Sequence, residues 1–368
     1  MSTVVATILQ LPGYLNVHYE KFYSFKLEDK YVKIYLHRRN KGLKIQDSAN
    51  ETLRLANKTA LKKPLTEFTG GYIFELGVND KEGNPVNKED FLYILEHGEA
   101  DRDVFVIEQF FTELVLFVEF DKFDKSVFDN DETRISYNRS IFKAYNHFAA
   151  KYVLASRNGL LDELPINGQS SNLSFSLKQA CFEKKGTLTD EEYLKSTSGL
   201  PFTRTSVVVE QVGRSGMTGA GQDQIDELST NFKKSIREKL SIEDSFLASA
   251  LVELSKQHHK FALLEAFIAV EGVVERFLTQ KKKETNVAQK NLDDFKRETG
   301  IGYQTNIEIP LALGKVDDAY VKLLENLNGV RRTRNKIVHD GLSIDHIVAA
   351  EAIGVCREYI QFLQSKMA

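Results

Sequence analysis

Arg331-Arg332-Thr333-Arg334-Asn335-Lys336-Ile337-Val338-His339-Asp340-Gly341 sets three arginines, a lysine, an asparagine and a histidine within nine positions, then reaches a glycine. Upstream, Tyr320, Leu323, Leu324, Leu327 and Val330, followed by Val338, recur at helical spacing. The cluster therefore falls on the last turns of an amphipathic helix. Gly341 is the expected left-handed residue ending that helix, and Ser343 is placed to cap the next. At about 100° per residue, Arg331 and Arg334 fall inside the apolar stripe, whereas Arg332, Asn335 and His339 lie on or beside the polar flank. An arginine in an apolar stripe has to be paired, or has to line a groove where a ligand or second subunit arrives.

His339 occupies the last turn beside Asp340, where the partial negative helix end and a carboxylate suit a proton donor. A guanidinium near a titratable imidazole matches phosphodiester cleavage: the arginine holds phosphate and the histidine moves a proton. The plainer alternative is a C-terminal helix whose arginines and histidine satisfy its own carbonyls.

Arg334-Asn335-Lys336-Ile337-Val338-His339 resembles the Arg-(four to six residues)-His signature of the HEPN superfamily, in the form where Asn follows the Arg. It is similar to the Apea-like and related HEPN modules of prokaryotic defence and toxin proteins. The resemblance covers roughly residues 240–368. It implies a helical bundle that pairs as a homodimer, with two motifs lining a shared cleft that cuts RNA without a metal or other cofactor. A ribose 2′-hydroxyl would attack the adjacent phosphate, leaving a cyclic phosphate and a free 5′-hydroxyl. By this resemblance His339 is the general acid or base and Arg334 stabilises charge on the non-bridging oxygens. Asn335, one turn before His339, would orient the histidine or the phosphate. Arg331, Arg332 and Lys336 are the candidate RNA contacts. Arg334 and His339 stand five apart, about 140° around a regular helix, so one straight helix does not aim both at one phosphate. Either the helix loosens at its end or two subunits each lend half a site.

A long helical stretch from Ile242 to Lys283 precedes the motif, carrying Leu247, Leu251, Leu254, Phe261, Leu264, Phe267 and Ile268. Glu271 falls within its apolar stripe, with Glu275 one turn on. Their natural partners are Arg331 and Arg334. HEPN proteins often carry an acidic or polar residue on the helix facing the motif, and Glu271 matches that role; Gly272 would allow close helix approach. Lys281-Lys282-Lys283 reads as a solvated helix end, with RNA-backbone contact as the bolder reading. His258 and His259, being adjacent, point to different faces. Gly300 to Gly314 looks like an irregular connection, and a final helix from Ile344 to Met367 closes the bundle.

The 368 residues are 42% hydrophobic and 27% charged, with a formal net charge of −3, which supplies no global basic footprint for nucleic acid. Cys181 and Cys356 have no metal-ligand spacing and read as thiols of a reducing compartment. Met1 to Leu11 lacks a basic lead-in, and no run approaches the roughly 20 apolar residues of a membrane span, so a cytoplasmic protein with no membrane partner is expected.

The expected fold class is α+β: a strand-rich domain over 1–212 that senses or recognises, a glycine-rich linker over 213–222, and an all-helical HEPN-like domain over 223–368. The linker lacks the Gly-Lys-Ser/Thr ending of a phosphate loop. Strands are expected over 31–36, 72–76, 114–120 and 207–209, with a helical alternative for 105–118, and a helix bears Ile141, Phe142, Tyr145, Phe148, Ala149, Tyr152 and Val153. Asp129, Asp131 and Glu132 lack the glycine and terminal glutamate of a calcium loop. Tyr14, Tyr19, Phe22, Tyr23 and Phe25, interleaved with Lys21 and Lys26, read as strand core and rim, with base stacking as the sharper alternative. The composite expectation is a regulated metal-independent endoribonuclease, a phage-defence or toxin effector, with a trigger or regulator at its first domain. The alternative is a non-catalytic module binding RNA, a nucleotide or a partner protein.

Overall fold

The computed structural model describes residues 2–12, 15–44, 78–79, 106–121, 131–157, 159, 161, 163–164, 173–184, 186–197, 203–209, 222–284 and 300–367. The chain divides into two compact units, one of Met1–Ile141 with Asn167–Ser229 and one of Phe142–Ile166 with Thr230–Ala368. The helical unit thus takes residues 142–166 from the first half of the sequence, which differs from a single cut at the glycine-rich stretch. That stretch lies outside the described residues except for Gln222, which opens a helix. The class is α+β.

The first unit is an antiparallel sheet of β1 (Ser2–Pro12), β2 (Phe22–Leu27), β3 (Lys30–Lys44), β4 (Val78–Asn79), β5 (Val106–Phe120), β6 (Leu173–Lys184) and β7 (Thr203–Val209). The spatial order is β2-β3-β5-β1-β6-β7, with β4 also on β5. Residues 106–120 form a strand, so the helical alternative for 105–118 fails. Leu114 through Val118 are buried without interruption because both faces of β5 are covered, which erases the polar alternation of a half-exposed strand. The expected strand over 72–76 lies outside the described residues, as do Tyr14 and Asp129.

Helix α1 (Asp131–Ser156) starts in this unit; Tyr137 packs edge-on against Phe120 with centroids 4.6 Å apart, and Asn138 accepts a hydrogen bond from Gln179. Asp131 and Glu132 open α1. Helix α2 (Asp190–Thr197) lays the buried Tyr193 on Phe117, centroids 5.4 Å apart, within a cluster that includes Val4, Ala6, Tyr35 and Val115. The Tyr193 hydroxyl donates to Glu119, which also accepts from Lys184 at 2.6 Å; burial and that carboxylate hold the phenol far above its usual pKa. The aromatic run is structural here: Tyr23 and Phe25 are buried, and Phe22 packs on Tyr35. His18 pairs with Asp226 of α3 (Gln222–Ser235) at 2.6 Å.

The second unit continues α1 from Phe142 and α3 from Thr230, and adds α4 (Ile242–Ser255), α5 (His259–Glu284), α6 (301–313), α7 (Asp318–Asp340) and α8 (His346–Ser365). The expected single helix over 242–283 is two. After Ser255 the chain turns at Gln257, whose φ is 63°, and the His258 amide bonds back to the Glu253 carbonyl at 2.9 Å. The polar run Ser255-Lys256-Gln257-His258 offers no apolar side chain to hold a continuous helix against the bundle. Ser241 and Asp244 form a capping box at the start of α4. α5 is the central helix: Leu263, Phe267, Val270, Val274 and Phe277 are at most 1% exposed, and α4, α7 and α8 pack around it.

The stretch from Gly300 to Gly314 is helical, correcting the irregular connection expected from its glycines. We designate as α6 the segment Ile301–Tyr303, a π-helical turn Gln304–Glu308, and Ile309–Leu313. The Thr305 carbonyl in the wide turn accepts the Tyr320 hydroxyl at 2.8 Å. α8 begins at His346, capped by Asp345, whose side chain accepts from Val348 N at 2.9 Å, so Ser343 is not the cap. Cys356 is fully buried in α8, which pushes its thiol up to about 12. Among the described residues no helix is long and apolar enough to cross a membrane.

His147 in α1 is buried, with Nε2 2.8 Å from the Ile236 carbonyl, which requires the ring to donate there. Burial lowers its pKa below the ordinary 6.5, partly opposed by that hydrogen bond and reinforced by Lys151. The unfolded chain therefore binds this proton first. The contribution is full above about pH 6.5 and declines below it through the lower folded pKa, by at most about 1.4 kcal/mol per pH unit. Urea titrations on either side of that value should show the decline, and His147→Gln should reduce it.

Candidate active site

The sequence cluster lies on the last turns of α7. The helix stays regular through Asp340 and ends at Gly341 with φ 69° and ψ 19°, where the amides of Gly341 and Leu342 both reach the Lys336 carbonyl. The left-handed conformation is the reason for glycine at this position. Of the expected stripe, Tyr320, Leu327 and Val330 are buried. Ile337 is buried in place of Val338, whose side chain is 50% exposed. Since the helix does not loosen, Arg334 and His339 project about 140° apart on one copy.

Arg334 is held on two sides. Its guanidinium lies over the Phe267 ring, 5.7 Å from the centroid, and its Nη2 is 3.7 Å from Oε1 of Glu271, both on α5. Its Nη1 donates to the neighbouring Asn335 Oδ1 at 3.3 Å. Stacking on a ring and pairing with a carboxylate fix the plane of the fork while leaving the side chain half-exposed. Glu271 therefore meets Arg334 and not Arg331, and the Asn335 carboxamide contacts Arg334 and not His339.

His339 is exposed in the last turn, with no hydrogen-bond partner among the described residues; Arg332, Asn335, Lys336 and Asp340 are exposed as well. Lys260, at the start of α5, donates to the Gly341 carbonyl at 2.8 Å and ties that helix to the end of α7. His259 beside it packs edge-on against His346, ring centroids 5.7 Å apart. The end of α7, the start of α5 and the start of α8 are thus joined by these two contacts.

Arg331, about 60° from Arg334 around α7, meets α6 instead of α5. Its guanidinium lies flush against Gly302 of α6, where a Cβ would collide with Nη1, and its Nε is buried without an acceptor. This contact is not visible in the sequence, where the glycines of 300–314 point to an irregular connection. The spacing of Tyr303, Ile307 and Leu311 was the signal for a helix there. Gly272 does not admit a close helix: a Cβ there meets nothing within 4 Å, and the residue lines an open groove of about 1180 Å³ with Ile242, Arg276 and Gln280. In the lysine run, Lys281 and Lys282 are half-buried and engaged, Lys282 with Glu308 and Lys281 with Glu284, each at 2.9 Å, while Lys283 is exposed. Two of the run's three charges are therefore already paired, which weakens it as an RNA contact.

What the arrangement offers chemically is a preorganised half-exposed guanidinium and an accessible imidazole on the same terminal turns, with the exposed Lys336 between them and the exposed Arg332 before them. Compared with known protein families, curated proteins and solved structures, the chain finds no match.

Proposed function

We propose that the helical unit is a metal-independent endoribonuclease of HEPN type, working as a homodimer. The observation that carries this is the clamp on Arg334: Phe267 beneath it and Glu271 beside it hold a guanidinium half-open to solvent, five residues before an accessible histidine. A fork fixed in this way costs no reorganisation when charge develops on a phosphoryl oxygen. His339 moves the proton of the attacking 2′-hydroxyl or of the leaving oxygen, and Arg332 and Lys336 hold the flanking backbone. Pairing of two copies has support in Phe261 and Ile268 on α5 and Val338 on α7. These apolar side chains are 61%, 38% and 50% exposed, and occupy the helices that carry the Arg334–Glu271 pair. Exposed apolar side chains of this kind are a place for a second subunit. In this reading the sheet unit recognises a trigger or substrate, and the biology is that of a defence or toxin effector, located in the cytoplasm.

The test is incubation of the purified chain with mixed RNA in EDTA, beside Arg334→Ala and His339→Ala. Cleavage by the wild-type chain and its loss in both variants, with RNA binding retained by His339→Ala, is the expected result. Identical behaviour of all three would sink the enzyme reading. One observation favours a second reading, a non-catalytic module for RNA, a nucleotide or a partner protein: among the described residues nothing orients the His339 ring. Equal binding by all three chains without cleavage is the outcome that would select it.

A further inference from the structure

We infer that α6 and the side of α7 bearing Arg331 form a second nucleotide subsite, in which Arg331 holds a phosphate and Tyr303 stacks on a base of single-stranded RNA. The inference deepens the ribonuclease reading and rests on it. The first ground is Arg331 itself. Arg334 has Glu271, Phe267 and Asn335, whereas Arg331 makes no hydrogen bond or ion pair among the described residues, and its Nε is buried without an acceptor. Its Nη groups also lack a partner but are not buried, and they, not Nε, are what an arriving phosphate bonds, offsetting the cost of a half-buried charge. Gly302 is what lets it lie where it does, since any side chain there would occupy the position of Nη1.

The second ground is how firmly α6 is placed. Asn306 and Asn328 face each other across α6 and α7: Asn328 Nδ2 donates to Asn306 Oδ1 at 3.0 Å, and Asn306 Nδ2 also donates to the Gly302 carbonyl at 2.7 Å. Tyr320 anchors the π turn at Thr305, and Lys282 anchors it at Glu308. π turns are frequent at functional sites, and here the wide turn is bonded to its neighbours on several sides. On that fixed platform Tyr303, next in the chain to Gly302, leaves its ring 49% exposed. An exposed ring on the residue that follows the one a guanidinium lies against has the composition of a single-strand site, since every base has a stacking face and every nucleotide a charge. Arg331 precedes Arg334 by three residues, about 4.5 Å along the helix axis, so one strand can cross both.

The experiment is fluorescence anisotropy with a short labelled 2′-O-methyl oligoadenylate, which cannot be cut, and with its abasic counterpart carrying the same phosphates. Tyr303→Ala is expected to weaken binding of the oligoadenylate by about 5- to 100-fold, to leave abasic binding unchanged, and to be rescued by Tyr303→Phe. Arg331→Gln is expected to weaken both probes and to reduce the slope of log affinity against log salt by about 0.7. Thermal melting identifies any variant that fails to fold. Equal binding of oligoadenylate by wild type and Tyr303→Ala overturns the subsite, while cleavage dependent on Arg334 and His339 continues to stand. Absence of both RNA binding and RNA cleavage in the wild type overturns the ribonuclease reading and the subsite together.

Discussion

Mixing Arg334→Ala with His339→Ala protomers, each inactive alone, is expected to restore about a quarter of wild-type RNA cleavage under the isologous symmetry of a twofold dimer. The reasoning starts from α7, which remains regular through Asp340 and so directs Arg334 and His339 about 140° apart on one copy. A phosphate held by Arg334 of one protomer is then served by the partner's copy of the histidine. Each single variant loses both composite sites, costing about 10²- to 10⁴-fold, the range for a proton-transfer group or an oriented charge donor. Random mixing makes half the dimers mixed, and each mixed dimer holds one intact site and one doubly broken one. Cleavage that stays absent after mixing and re-equilibration, while the wild-type chain is active and dimeric, would show that one protomer supplies both groups. Activity that persists in a strictly monomeric species would show the same thing by another route.

A second large effect concerns stability, and sets the same substitution at two glycines against each other. Gly159 presses on α4: a Cβ there would lie 2.7 Å from both Leu251 C and Val252 Cα and would collide with the Leu251 carbonyl oxygen. Ser255 Oγ also donates to the Gly159 carbonyl at 2.9 Å, fixing the approach. All the obstructing atoms are backbone, so a helix has to move. Gly159→Ala is therefore expected to cost about 1–3 kcal/mol or more, the overpacking range. At Gly272, inside α5 but facing open space, the same methyl meets nothing and removes backbone freedom from the unfolded chain. Gly272→Ala is expected to stabilise by about 0.5–1 kcal/mol. Urea midpoints at unchanged slope measure both. A stable Gly159→Ala variant would mean that the contact with α4 relaxes freely.

Much of the helical half could be read from spacing. The apolar period before Arg331, the glycine at 341 and the acidic Glu271 on an upstream helix were each legible, because helix periodicity and the left-handed cap are local properties of the chain. Val338 and Ile337 show the limit. They are adjacent and equally apolar, and which one is buried depends on the angle at which α7 meets its neighbours. The break at Gln257 is only half legible: the polar run Ser255 to His258 interrupts the apolar stripe, but helix propensity through it is ordinary, and the turn is decided by the packing of the helices on either side. Similarly, Gly272 and Gly302 look alike in the sequence, yet one opens on a groove and the other receives a guanidinium.

The sequence by itself determined the α+β class and placed the Arg334–His339 motif at a glycine-ended helix terminus. It also made Glu271 a candidate counter-charge, since all of these follow from residue type and spacing along one chain. Only the tertiary structure decided that Glu271 takes Arg334 and leaves Arg331 without a partner among the described residues. It also decided that residues 300–314 form a helix with a π turn against α7. The physical reason is that pairing between side chains on different helices depends on crossing geometry. That geometry is fixed by the summed burial of many apolar residues, a sum to which no single stretch of sequence has access.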